Sequence, residues 1–232
     1  MADENIDGMR CMVPIKRDSI NIVVIGRLNP QIVNIDFLSN NDIIPKDEAP
    51  FRDLLKSDKP FSKFVSTPVV VELEFDTIRF VVDVNRFLLM QTGVRDWPDS
   101  KVALIASRYF KTLSYTPVTL VGFNLGCTVG PTTPNQDAEF QATFLGPKSR
   151  ILKAIGVERP VADITLRYPA KGDNARLTLT VSRPMKTEFA RSLNLNYEFD
   201  FAGWDNFQKR LERIPEVGEM LDLIASGLLE GI

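Results

Sequence analysis

The sequence predicts an α+β protein, with antiparallel sheet structure covered by helices and an element order that reads as a duplicated βαββα unit. Two observations carry this. In Ser192–Phe201, Leu193, Leu195, Tyr197, Phe199 and Phe201 alternate strictly with Asn194, Asn196, Glu198 and Asp200. That is the period of a strand with one buried and one wet face. Leu177, Leu179 and Val181 alternate likewise with Thr178, Thr180 and Ser182, and Ile164, Leu166 and Tyr168 with Asp163, Thr165 and Arg167. The connection between these two runs carries Gly172 and Asn174, which tolerate the positive φ of a hairpin loop. Ala162–Phe201 is therefore a three-strand meander with one apolar face. The second observation is that helical stripes flank it, and such stripes are the natural cover for that face.

Taken in order, Met1 to about Asp18 is polar and reads as an arm. Ile20–Leu28 is rich in β-branched residues and reads as a strand. Asn29-Pro30 signals a turn, after which Val33, Ile35 and Phe37 alternate as a second strand. Phe51, Leu54 and Leu55 fall at helical spacing, so a short helix is expected over Glu48–Lys56. Val69, Val71, Leu73 and Phe75 then alternate with polar residues, as do Ile78, Phe80, Val82 and Val84. A two-residue turn at Asp76-Thr77 pairs Phe75 with Ile78 and Glu74 with Arg79, keeping apolar against apolar and opposite charges together.

Trp97-Pro98-Asp99-Ser100 opens a helix, with Asp99 or Ser100 as its N-cap. Val102, Ile105, Ala106, Tyr109 and Leu113 form its inward stripe. Val121, Phe123, Leu125, Cys127 and Val129 alternate as a long strand, with Gly122 and Gly126 on its other face marking a bulge or a close approach. Short helices are expected at Asp137–Leu145 and Ser149–Ile155. After the meander, Phe207, Leu211 and Ile214 share a helical face. Pro215 kinks or restarts that helix, and Val217, Met220, Leu221, Ile224 and Leu228 continue the stripe. The organisation is an arm (1–18), a first α+β half (19–116) and a second half (117–232) that carries the meander and the C-terminal helix.

Composition limits function. The 232 residues carry a formal net charge of −2, so the chain as a whole has no electrostatic pull toward nucleic acid or anionic membrane. Histidine is absent, which removes Ser-His-Asp and Cys-His catalysis, histidine bases and every histidine-containing zinc site. Two distant cysteines without a Cys-x-x-Cys pattern favour a reducing, cytoplasmic compartment. The acidic N-terminus does not read as a signal peptide. No metal or organic cofactor is expected.

Several segments resemble a sporadically distributed bacterial family of uncharacterised proteins of about this length. They are Ile25–Pro30 (Ile-Gly-Arg-Leu-Asn-Pro), Val82–Leu89 (Val-Asp-Val-Asn-Arg-Phe-Leu-Leu) and Val118–Leu125 (Val-Thr-Leu-Val-Gly-Phe-Asn-Leu), followed by the meander and the last helix. The resemblance implies the fold and carries no activity.

Chemistry is sparse. No Walker or Gly-x-Gly-x-x-Gly pattern occurs. Asp83 and Asn85 are read on one strand face beside Arg86, too few oxygens for a hard cation. Cys127 falls on the apolar side of its strand and reads as a small hydrophobe. Charge is uneven: Lys148–Arg191 holds ten Lys/Arg against four Asp/Glu, whereas Asp200 to the C-terminus holds three against seven. Arg150, Lys153, Arg167, Lys171, Arg176, Arg183 and Lys186 are the candidate contacts to phosphate or to an acidic partner. The expected function is a non-enzymatic binding or assembly module of a bacterial or phage-linked intracellular system. A nucleic-acid-associated protein using residues 148–191 is the alternative. A homo-oligomer or protein partner is expected, without a membrane. Its motives are Ile20–Leu28 as an apolar sheet edge and a C-terminal helix that either covers the sheet or docks on another chain.

Overall fold

A computed structural model of the chain describes residues 15–44, 62–130, 164–170, 174–182 and 190–230. Its strands are β1 (Ile15–Gly26), β2 (Lys63–Ser66), β3 (Val70–Phe75), β4 (Ile78–Asp83), β5 (Arg86–Thr92), β6 (Val118–Val129), β7 (Ile164–Pro169), β8 (Ala175–Ser182) and β9 (Arg191–Asp200). All are antiparallel neighbours in one nine-stranded sheet, in the order β2-β3-β4-β5-β1-β6-β9-β8-β7. The helices are α1 (Ile35–Asn40), α2 (Val102–Thr112), α3 (Trp204–Leu211) and α4 (Ile214–Glu230), with 3-10 turns at Pro30–Ile32 and Trp97–Asp99. The fold is α+β.

One face of the sheet carries the core. Ile20, Ile22 and Val24 of β1, Phe123 and Leu125 of β6, and Leu195, Tyr197 and Phe199 of β9 are all buried there. Among the described residues the helices cover this inner face. Val102, Ile105, Ala106 and Tyr109 are buried from α2, and Phe207, Leu211, Val217 and Leu221 from α3 and α4. The Tyr109 ring packs on Phe80, Phe87 and Phe110, and Phe110 packs on Trp204 and Phe207. These large rings each remove 150–250 Å² or so from water and dominate the burial term.

The predicted register of the Asp76-Thr77 hairpin is present, and the three meander strands are adjacent. Phe75 pairs with Ile78 and Glu74 with Arg79, and Asp76 takes the left-handed φ of 49° that the tight turn demands. In the meander, Leu179 pairs with Leu166 and Leu195.

Some readings need correction. Val33–Phe37 is not a strand. Asn29 accepts a hydrogen bond from Gln31 N and Asn34 accepts one from Phe37 N, so two asparagine caps turn this stretch into a 3-10 turn and α1. The segment read as an arm already joins the sheet at Ile15. The strand read through Val84 stops at Asp83. Asp83 Oδ1 accepts from Asn85 N at 2.8 Å and Arg86 pairs with Asp83 at 3.3 Å, so a tight turn separates β4 from β5. Val84 keeps the alternation running through that turn, which hides it. Finally, β1 is no edge but the central strand, flanked by β5 and β6. Of the two roles open to the C-terminal helix, it takes the covering one: Val217, Leu221 and Ala225 bury into its own sheet. The helices expected at Glu48–Lys56, Asp137–Leu145 and Ser149–Ile155 lie outside the described residues.

The registers give the sheet a pseudo-two-fold. Asn21 of β1 faces Asn124 of β6. About that point β5 matches β9, β4 matches β8 and β3 matches β7. In each half the first strand pairs with the last strand of a meander, and helix α2, or α3 with α4, follows. The repeated unit is larger than βαββα because of the added strand.

Candidate functional site

The opposite, outer face of the sheet carries the candidate site. One register row runs across it through Asn21, Asn124, Asn196, Thr178 and Arg167, on β1, β6, β9, β8 and β7. Alternation puts them there: each neighbours apolar residues that point inward. The next row sets Gly122 against Glu198 and Glu198 against Arg176. Over β7, β8 and β9 these residues line an open groove of about 650 Å³, formed by Arg167, Arg176, Thr178, Asn196 and Glu198, with Tyr168, Pro169 and Leu177 also in its lining.

The glycines shape this surface as close-approach positions. A Cβ at 122 would stand 3.4 Å from Asn196 Oδ1, and one at 126 would stand 3.3 Å from Ser19 Oγ. Polar side chains from β1 and β9 therefore lie down over the β6 backbone. Asn124 Nδ2 donates to Asn21 Oδ1 at 2.8 Å, which closes that pair. Asn196 Oδ1 is shielded from solvent and, among the described residues, accepts no hydrogen bond. A buried acceptor without a donor costs about 1–3 kcal/mol, so an N–H or O–H brought by a ligand would be favoured there.

The two groove arginines differ. Arg176 Nη2 donates to Glu198 Oε1 at 2.6 Å and is neutralised locally. Arg167 is exposed, and among the described residues no carboxylate pairs with it. Arg167 and Arg176 are diagonal neighbours on one face, about 7–8 Å apart at their Cα atoms. Among the described residues two cations stand against one carboxylate, an excess of positive charge in the groove. Of the seven basic candidates, the structure brings these two together; Arg150, Lys153, Lys171, Arg183 and Lys186 lie outside the described residues. Sequence reasoning missed Asn196, Asn124 and Asn21. Their only signal was a polar position in an alternating run, and the row they form spans strands far apart in the chain.

A second polar cluster lies on the inner face, at the other end of the chain's long contacts. A bulge at Asp18 breaks the β1–β6 register between Arg17 and Ser19. The extra residue reverses the alternation, so Arg17 turns inward beside Cys127. Arg17 Nη2 donates to Asp222 Oδ2 of α4 at 2.7 Å, Arg17 Nε donates to the same oxygen at 3.2 Å, and Trp97 Nε1 does so at 3.1 Å. The guanidinium also lies 5.7 Å from the Trp97 ring centroid. This clasp pins α4 to β1. Cys127 is fully buried. Burial, helped by the Asp222 and Asp18 carboxylates and opposed by Arg17, pushes its thiol up to about 12. It is therefore protonated and a poor nucleophile at neutral pH. Asp83 ends β4 and Asn85 lies in the turn that follows, so the two do not share a strand face.

Among the described residues no helix is long and apolar enough to cross a membrane. Comparison with family models gives no match, and comparison with curated proteins gives none either. The resemblance to the uncharacterised bacterial family thus rests on the segments quoted for it.

Proposed function

We propose that this protein is a non-enzymatic binding or assembly module of a cytoplasmic, bacterial or phage-linked system, and that the outer groove holds an acidic protein partner. One observation carries the reading: Arg167, without a carboxylate partner among the described residues, shares a groove with Arg176 and with the unpartnered acceptor of Asn196. The first supplies attraction for an anionic group. The second supplies a site for a donor beside it. Among the described lining residues Tyr168 is the single aromatic, which gives successive bases little to stack on and favours a protein over single-stranded nucleic acid.

The test is fluorescence anisotropy at low salt with a labelled hexaglutamate peptide, a hexalysine control and a thymidine oligonucleotide. Hexaglutamate is expected to bind, and to be lost on Arg167→Glu with Arg176→Glu. Asn196→Ala is expected to leave stability unchanged or raised, because it removes an orphaned acceptor. Equal binding of hexalysine, or indifference to the arginine changes, would refute the reading. Tighter binding of the oligonucleotide would replace it with the nucleic-acid alternative.

A further inference from the structure

Among the described residues the sheet ends at two open edges, β2 and β7. An edge strand offers unpaired N–H and C=O groups to any extended chain unless its side chains discourage it. The two edges are not equivalent. On β2, Lys63 lies 2.9 Å from Glu72 and 4.0 Å from Glu74, and Arg79 pairs with both carboxylates. That network is closed and balanced. On β7, Arg167 has no carboxylate partner among the described residues, and no carboxylate occurs anywhere in Ile164–Pro169.

Which main-chain groups of β7 are open follows from one hydrogen bond. Ala170 N donates to Ala175 O at 3.0 Å, so the pair 170/175 is of the hydrogen-bonded kind. In an antiparallel ladder such pairs alternate. Tyr168, Leu166 and Ile164 therefore bond to β8, and Thr165, Arg167 and Pro169 turn their main-chain groups to the open side. Thr165 and Arg167 offer an N–H and a C=O each; Pro169 offers only a C=O and ends the docking edge. Leu166 is 41% exposed on the inner side of the same strand.

Resting on the groove reading above, we propose that β7 takes an extended acidic segment of a partner protein as a tenth strand. Its main chain pairs with Thr165 and Arg167. A glutamate or aspartate on its outer side meets Arg167 at the groove's rim, and an apolar residue on its inner side covers Leu166. A second copy of this chain does not fit this edge as well. Pairing β7 with β7 brings two Arg167 side chains together with no carboxylate on either strand, and like charges across a sheet repel.

The experiment uses the full chain and two labelled, N-acetylated peptides, Ser-Glu-Val-Glu-Val-Glu-Ser and its lysine counterpart, read by anisotropy. Wild type is expected to bind the glutamate peptide at least about tenfold more tightly, and Arg167→Glu to reverse the preference. Thr165→Pro removes one outward N–H and no bond to β8, so it is expected to weaken glutamate-peptide binding at least about tenfold with melting unchanged. Methylating alternate amide nitrogens of the peptide tests the same bonds without altering the protein. If binding survives both changes, strand addition is wrong, while hexaglutamate binding that depends on Arg167 and Arg176 leaves the groove reading standing. If wild type ignores the glutamate peptide but holds hexaglutamate, strand addition is wrong again. If it ignores both, both readings fail.

Discussion

Gly218→Ala sets two known effects against each other, and the structure decides between them. In an exposed helix interior, alanine in place of glycine stabilises by about 1 kcal/mol. At 218 a methyl group has no room. Its carbon would stand 2.8 Å from Trp97 Cδ2 and closer still to Cγ and Cδ1, against the ~3.5–4.0 Å of an ordinary carbon contact. The indole cannot yield cheaply: Trp97 is buried, its Nε1 donates to Asp222 at 3.1 Å and Arg17 lies against its ring. α4 must lift by ~1 Å or more, with an overpacking cost of about 1–3 kcal/mol. The same shift stretches the Trp97–Asp222 bond, a further ~1 kcal/mol. The net expectation is destabilisation of about 1–3 kcal/mol by urea unfolding, or a few degrees or more in Tm. Gly227→Ala is the control. A Cβ there meets nothing within 4 Å, so a gain of up to ~1 kcal/mol is expected. A Gly218→Ala protein as stable as wild type, alongside a stabilised Gly227→Ala, would show that the indole does not lie against α4.

Other perturbations follow from the same geometry. Lys63, then Arg79, hold the Glu72 carboxyl below its ordinary 4.5; its stabilisation is complete above 4.5 and lost as pH falls through the lower folded value. Glu72→Gln should therefore flatten the acid limb of the stability–pH curve below about 4.5, and an unchanged limb would show that this network is idle. Cys127 in a Cys11→Ser background should resist iodoacetamide at pH 8 and label fully in denaturant; rapid native labelling would contradict its burial. Asp222→Leu should cost about 1.5–3 kcal/mol because it removes the acceptor shared by Arg17 and Trp97 Nε1 and leaves the part-buried guanidinium only Arg95 O and the more distant Asp96, and Arg17→Met on top should recover part of the loss in a double-mutant cycle. Simple additivity would mean that the pair is not coupled.

Local periodicity was enough to read the meander, the Asp76-Thr77 hairpin, α2 and the restart at Pro215. Alternation and helical stripes reflect which side of a segment is wet, and that information sits within a few residues. The same period hid the turn at Val84-Asn85, where the alternation runs on. It also misled at Val33–Phe37, where asparagine caps outweigh β-branched spacing. The apolar run Ile22–Ile25 correctly signalled a strand that cannot lie exposed. Whether docking or centrality hides it depends on which strands pair with it, and those are β5 and β6, more than sixty residues further on.

The candidate site shows the same division. Basic residues at 167 and 176 were legible as a charge excess. That Arg176 is neutralised by Glu198 while Arg167 is left open on an edge strand was not, because the register of three strands decides it. Arg17 and Asp222 are 205 residues apart, and only the bulge at Asp18 turns the arginine inward to meet its partner. Sequence alone determined which residues face water along each segment. Tertiary structure decided which of those faces meet, because strand order, register and a single bulged residue are set by contacts between distant parts of the chain.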